Sequence, residues 1–253
     1  VYVEPYGGAA SVLLRKPRSY GEIYNDLYGE LVAVFRVLRD RDQAAELERL
    51  LRLTPFAREE FEGAYAPTDD AVEGARRTII RSFMGFGSAA TYNGHATGFR
   101  CNSNRNGTTP AHDWVNWPNQ VRAFTERLQG VVIESRPAVD VVRQHDAPGT
   151  LHYVDPPYPH GTRTHKVRAT GQVYAFELTD DDHRALASVL RRVSGLVVLS
   201  GYSCDLYDQE LYSDWHRVTC RALADGAQAR TEVLWLSPRT WDALAGRQER
   251  LEI

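Results

Sequence analysis

The sequence is poor in cysteine and has no long apolar run. Its 253 residues include three cysteines, Cys101, Cys204 and Cys220. They are far apart, odd in number and fit no metal-ligand spacing. A disulfide framework and a structural zinc site are therefore excluded, and the thiols read as reduced, in a cytoplasmic protein. No apolar stretch approaches the roughly 18 residues a membrane span needs, and no secretory leader precedes the first strand-like segment. Val1 lies inside an apolar run without an initiator Met, so the true start is expected upstream. The GxGxxG phosphate fingerprint is missing, so a dinucleotide is not implied. The Gly-x-Ser-x-Gly elbow is missing too; Ser200 follows a strand without it, and no serine–histidine–acid set is legible. Internal repeats and low-complexity tracts are absent.

A basic excess is also lacking. The net charge is −3, from 30 Lys and Arg against 33 Asp and Glu. That argues against a uniformly basic nucleic-acid binder, but the charge is unevenly spread. No acidic residue falls between Glu73 and Asp113, whereas Arg76, Arg77, Arg81, Arg100, Arg105, His95 and His112 do. Two readings stand: a solvated loop region, or a phosphate-contacting surface on an otherwise acidic protein. The remaining balance, 43% hydrophobic and 25% charged, is that of an ordinary globular chain. The length suits one substantial core, or a core domain with a smaller module.

What is present alternates between periods. Residues 1–4 read as a buried strand ended by Pro5. Residues 6–11 are a small-residue turn leading into a short helix. Ile23 and Tyr24 end a second strand, stopped by Asn25-Asp26, and Leu27, Leu31, Val34, Phe35 and Leu38 are spaced for a helix. This is the opening of a doubly wound sheet. Helices are then expected over 42–53, 56–65 and 69–83. Residues 84–117 are rich in Gly, Asn, Ser and Thr and have no clear period; irregular stretches of that length are usually functional. Alternation resumes with strands at 131–133, 151–154 and 196–199, a helix from Thr179 to about Val193, and a late antiparallel pair at 217–220 and 231–236. Residues 41–127 therefore read as a module inserted between 1–40 and 128–253.

Three motifs carry chemistry. Asp155-Pro156-Pro157-Tyr158 ends an apolar strand, and its prolines fix two φ angles and remove two donors. The loop is rigid and sits where open α/β sheets bind ligands. A carboxylate beside a carbonyl is the acceptor pair that an exocyclic amine needs if its lone pair is to be freed for reaction. Glu4-Pro5-Tyr6-Gly7-Gly8-Ala9-Ala10-Ser11 lets backbone approach a ligand closely, or is only a tight turn. Asp26 is placed for the ribose hydroxyls of a nucleoside cofactor, or caps the following helix.

Together these features resemble the Dam-type DNA adenine methyltransferases over essentially the whole chain. Glu4 to Ser11 is similar to the family's cofactor loop, Asn25-Asp26 to its ribose-binding acid, and Asp155-Pro156-Pro157-Tyr158 to its catalytic motif. Leu199-Ser200-Gly201-Tyr202 and Thr231-Glu232-Val233-Leu234-Trp235 are similar most of all to phage and prophage members. The resemblance implies a Rossmann-like seven-stranded mixed sheet with helices on both faces and an α-helical target-recognition module. It implies S-adenosylmethionine as cofactor, duplex DNA as partner, no metal, and transfer to N6 of a flipped adenine. Adenine follows from Asp155, since similar N4-cytosine enzymes usually carry Ser there. Residues implied at the cofactor are Glu4, Pro5, Tyr6, Gly7, Gly8, Asp26, Asp155 and Glu134, the last at the cofactor's adenine edge. The family's upstream segment, with an aromatic residue and a Gly-Gly-Lys, would precede Val1. A monomer in the cytoplasm of a bacterial or phage-infected cell is expected, with or without a restriction partner.

Two other functions remain open at this point. An RNA or protein N-methyltransferase can carry a similar tetrapeptide, but rarely with roughly ninety residues inserted where a βαβ unit needs about 30. A DNA-binding relative that has lost catalysis is the other. A metal at His160, His165 or Asp180-Asp181-Asp182-His183 is set aside, because acids after Thr179 are explained by helix capping. Asn106-Gly107-Thr108 fits a glycosylation acceptor without other signs of secretion. Trp114 and Trp117 are read as module core in preference to base-stacking groups.

Overall fold

The computed structural model describes residues 1–86, 97–101, 108–162, 175–223 and 229–251. Its strands are β1 (Tyr2–Glu4), β2 (Glu22–Asn25), β3 (Val131–Glu134), β4 (Leu151–Val154), β5 (Leu196–Tyr202), β6 (His216–Leu223) and β7 (Ala229–Leu236). They form one seven-stranded sheet in the order β3-β2-β1-β4-β5-β7-β6. The first five strands run parallel; β7 is antiparallel to both of its neighbours. β1 and β2 are buried along their whole length, as parallel strands covered on both faces must be. Strand order reverses between β1 and β4. The carboxyl ends of those two strands flank the crevice where ligands of open α/β sheets bind.

Buried charge is settled locally. Glu22 lies within β2, and Arg127 donates to both its oxygens at 2.6 and 2.9 Å. Burial alone would raise Glu22, but the bonds from Arg127 and Lys16 outweigh it and the pKa falls to about 2.

Helix α1 (Gly29–Arg39) buries Val32, Val34, Phe35, Val37 and Leu38. Leu27 lies before the helix and is exposed. α2 (Arg41–Leu53), α3 (Arg58–Gly63) and α4 (Ala71–Met84) follow as expected. Asp40 caps α2 through the Asp42 and Gln43 amides, and Asp70 caps α4 through that of Glu73. Within the stretch expected to be irregular, α5 (Pro110–Asn116) forms behind a Thr109 cap with Pro110 in its first turn. α6 (Val121–Leu128) and α7 (Ala138–His145) were not foreseen. α8 (Asp180–Leu190) starts in a reciprocal Thr179–Asp182 capping box, and α9 (Pro238–Leu251) ends the described chain. The short helix expected after β1 is instead a set of turns through residues 11–16, with Leu14 donating to Ala10 and Lys16 to Val12. Pro17 lacks the donor that would extend them.

The helices of 41–127 do not enclose a core of their own. One apolar cluster runs from Tyr2, Leu13 and Tyr24 through Val32 and Phe35 to Leu47, Leu51, Phe61, Ile80, Trp114 and Leu128. Trp114 is a core residue, as expected; its indole donates to the Thr54 carbonyl at 2.8 Å. A second cluster, including Val154, Leu186, Leu199, Tyr207 and Trp235, lies on the β4–β5–β7 side and is covered in part by Tyr6.

Candidate active site at the switch point of the sheet

The loop leaving β1 is fixed by the end of β2. The Gly7 amide donates to the Asn25 carbonyl at 2.7 Å, and Ala10 donates back to Gly7 at 2.7 Å. The Tyr24 hydroxyl donates to the Gly8 carbonyl at 2.8 Å. A Cβ on Gly7 would lie 2.2 Å from Tyr24 Cε2, so only glycine lets this loop rest on the ring. Gly8 and Ala10 have φ of 48° and 53°, the left-handed region that costs a non-glycine residue roughly 1–2 kcal/mol.

Asn25 and Asp26 divide the work. The buried Asn25 amide donates to the Pro5 carbonyl at 2.8 Å and to that of Arg136 at 3.0 Å. It accepts from the Arg136 amide at 2.9 Å. One side chain thus ties together the carboxyl ends of three adjacent strands. Asp26 Oδ2 accepts from the Gly8 amide at 2.9 Å and Oδ1 from that of Tyr28 at 2.8 Å. Burial raises its pKa against these bonds. It does not cap α1: that position is Tyr28, which makes no side-chain cap bond. Glu134 ends β3 opposite Asn25 and is half-buried.

Glu4 is turned largely inward. It is buried, and its Oε1 accepts from the Tyr2 hydroxyl at 2.5 Å and the Leu13 amide at 2.6 Å. The structure therefore gives it the holding of the turn after the loop. Burial pushes its carboxyl up to about 6, and the charge of Asp155 adds to that rise.

Asp155 follows β4 across the crevice. Burial pushes its carboxyl up to about 6, against hydrogen bonds from the Tyr158 and Ser200 hydroxyls that pull it down. Its Oδ1 is buried and has no hydrogen-bond partner among the described residues. Val154 is in register with Leu199, so Ser200 stands beside Asp155 at the same edge. The Tyr158 ring meets that of Tyr202 edge-on, with centroids 4.7 Å apart. Tyr202 is in turn paired with Glu232 on β7. The sheet thus gathers Pro5 to Gly8, Asp26, Glu134 and Asp155 to Tyr158 at one edge. Asn25, Ser200 and Tyr202 were not picked out as site residues from sequence. The Leu199–Tyr202 segment was the available signal for the last two.

The basic stretch is reorganised by folding. Arg81 is a correction: it is 2% exposed, donates to the Ala64 carbonyl at 2.7 Å, and is ion-paired with Glu30. A guanidinium buried this way is not on a phosphate-contacting surface. Arg76 is held by Glu73 at 2.7 Å and Glu60 at 3.0 Å, and Arg77 by Glu73 at 2.6 Å. Arg100 is half-buried, with its guanidinium 5.9 Å from the Phe86 ring centroid. Arg105, His95 and His165 lie outside the described residues. Among the described residues no three His, Cys, Asp or Glu side chains gather as a metal site. Likewise, no described helix is long and apolar enough to cross a membrane.

Residues 1–222 match the D12 class N6 adenine-specific DNA methyltransferase family, a span that includes every site residue above. The chain belongs to that family. This methyltransferase therefore transfers a methyl group from S-adenosylmethionine to N6 of adenine in DNA. Its sheet is the Rossmann-like α/β fold expected for that chemistry. A search of curated proteins gave no match.

The described residues fit that cofactor. A Cβ placed on Gly8 would meet nothing within 4 Å, so the space over the loop is open. The Asp26 carboxyl and Asp155 Oδ1, which has no partner among the described residues, stand on either side of the switch point.

Proposed function

We propose that Pro5, Tyr6, Gly7, Gly8 and Asp26 hold S-adenosylmethionine at the carboxyl ends of β1 and β2, with Glu134 toward its adenine edge. Glu4 acts beneath them by fixing the loop. Asp155, Pro156, Pro157 and Tyr158 receive the extruded adenine. The observation that carries this reading is Asp155 Oδ1, buried and without a hydrogen-bond partner among the described residues. A buried acceptor without a donor costs free energy, and an amine hydrogen supplies the missing bond.

When bound, the cofactor supplies an electrophilic methyl group on a sulfonium. The protein needs no nucleophile of its own, because the amine nitrogen is the nucleophile. Asp155 accepts one N6 hydrogen, which localises the nitrogen lone pair and stabilises the positive charge that builds there. The Pro156 carbonyl accepts the other. The methylated amine then sheds a proton to Asp155, whose pKa of about 6 lets it pass the proton to neutral solvent. Tyr158 packs on the ring, and its hydroxyl holds Asp155.

Residues 41–127 form the target-recognition module and contact duplex DNA. Arg100 and Arg105 take the phosphate-facing role, while Arg76 and Arg77 shape the module through their ion pairs. The enzyme acts as a monomer in the cytoplasm of a bacterial or phage-infected cell. The support for that location is its DNA substrate.

Duplexes carrying 2-aminopurine in place of the target adenine test base capture. Extrusion relieves stacking, so fluorescence rises when the parent binds. A ring stacked on the extruded base quenches part of that rise, so Tyr158→Ala is expected to give a brighter signal than the parent and Tyr158→Phe a parent-like one. Equal signals from Tyr158→Ala and the parent would contradict the stacking role.

A further inference from the structure

Arg81 is a buried charge on α4, and its carboxylate comes from the other side of the domain junction. Glu60 and Glu73, on α3 and α4, serve Arg76 and Arg77. Arg81 instead reaches Glu30, the second residue of α1. The guanidinium is 3% exposed and Glu30 39%. A charge desolvated to this degree gives up its partner only at high cost.

The pair lies in the middle of a continuous chain. The Gly8 amide donates to Asp26 Oδ2 at 2.9 Å, and the Tyr28 amide to Asp26 Oδ1 at 2.8 Å. The Tyr28 hydroxyl donates to Glu30 Oε2 at 2.7 Å, and Arg81 Nη2 donates to the same oxygen. From there Arg81 Nη1 donates to the Ala64 carbonyl at 2.7 Å, and the guanidinium lies 5.7 Å from the Tyr65 ring centroid. The Tyr65 hydroxyl accepts from the Thr97 amide at 3.4 Å, and Thr97 Oγ1 from that of Phe86 at 3.2 Å. The chain begins at the loop over which the cofactor sits and ends in the acid-free stretch of the inserted helices. Tyr28 and Arg81 share one carboxylate oxygen, so a shift of either donor is felt by the other.

We infer that Glu30 and Arg81 are positioning residues through which the cofactor loop and the recognition module bias one another, so that cofactor and duplex DNA each bind more tightly when the other is bound. This rests on the cofactor and DNA roles proposed above. Coupling of this kind is reciprocal: each ligand raises the other's affinity by the same factor.

The test is calorimetry with S-adenosylhomocysteine, alone and with a duplex carrying the site that methylation mapping defines, on the parent, Glu30→Gln and Arg81→Lys. The duplex is expected to tighten S-adenosylhomocysteine binding to the parent at least about fivefold, and the reverse by the same factor. In Glu30→Gln, binding without DNA is expected within about twofold of the parent while the enhancement falls below about twofold. Arg81→Lys keeps the charge but loses the forked geometry, and is expected to lose the enhancement likewise. Should Arg81→Lys fold poorly, Glu30→Gln decides alone. Parent-sized enhancement in the folded variants overturns the inference, whatever happens to their melting temperatures. A parent that binds each ligand without mutual enhancement overturns it also, and leaves the cofactor reading standing. A parent that binds no S-adenosylhomocysteine contradicts the cofactor reading itself.

Discussion

The Gly8 amide donates to Asp26 Oδ2 at 2.9 Å, so the acid that ends β2 also holds the loop that leaves β1. The same carboxylate is proposed to meet the cofactor ribose. Asp26→Ala loses both functions and is expected to cost roughly 1.5–3 kcal/mol of cofactor binding, read by calorimetry with S-adenosylhomocysteine. Asp26→Asn keeps one acceptor for the loop and is expected to lose less. Parent-like affinity in Asp26→Ala would show that the residue does not hold the cofactor.

Gly7→Ala tests the seat of that loop. Its Cβ would lie 2.2 Å from Tyr24 Cε2 and 3.0 Å from the Asn25 carbonyl oxygen. The ring is fully buried, so it has little room to yield. Forced overpacking of this kind costs about 1–3 kcal/mol, and the Tyr24 bond to Gly8 moves with the ring. Thermal unfolding and cofactor affinity are both expected to worsen. An unchanged protein would mean that the loop does not rest on Tyr24 in solution.

The Asp155 carboxyl, raised to about 6 by burial, sets function against stability. A carboxyl whose folded pKa lies above the unfolded value near 3.9 binds its proton more tightly in the native state. Its contribution to stability is full below about pH 4 and is lost as pH rises through about 6. Asp155→Asn removes that loss. The variant is expected to be more stable than the parent by about 2–3 kcal/mol at pH 8, with the difference closing by about pH 4. Turnover of the parent is expected to fall below about pH 6, where the acceptor is protonated. A variant less stable at pH 8 would show that the carboxylate is not desolvated.

Much of the fold was legible because parallel strands buried on both faces leave continuous apolar runs, as in β1 and β5, and Asp155-Pro156-Pro157-Tyr158 marks where one of them stops. The rest was hidden for physical reasons. An Asn after a strand reads as a turn signal, and nothing in the local sequence says that Asn25 bonds Pro5 and Arg136 on two other strands. Nor does the local sequence say that Glu4 Oε1 accepts from the Tyr2 hydroxyl and the Leu13 amide. The acid-free stretch looked like a cationic surface because its counter-charges lie outside it: Glu30 on α1, Glu60 on α3, and Glu73 at its border. Linear charge patterning measures net charge along the chain, whereas exposure and pairing are decided in three dimensions.

That difference separates the arginines experimentally. Arg100→Glu is expected to weaken duplex binding and to lower the salt slope by roughly one unit for each phosphate that is no longer neutralised. Arg76→Ala is expected to leave the salt slope unchanged and lower the melting temperature, because Glu60 loses its arginine and Glu73 keeps only Arg77. Salt-titrated binding isotherms check both. A larger slope change from Arg76→Ala than from Arg100→Glu would reverse the assignment.

The central claim, that Asp155 is the acceptor for the adenine amine, is tested most directly by mass spectrometry of nucleosides from DNA incubated with S-adenosylmethionine and either the parent or Asp155→Ala. The parent is expected to produce N6-methyladenine. Asp155→Ala is expected to lose turnover on the order of 10²–10³-fold while binding the duplex as the parent does. Undiminished N6-methyladenine from Asp155→Ala would contradict the account.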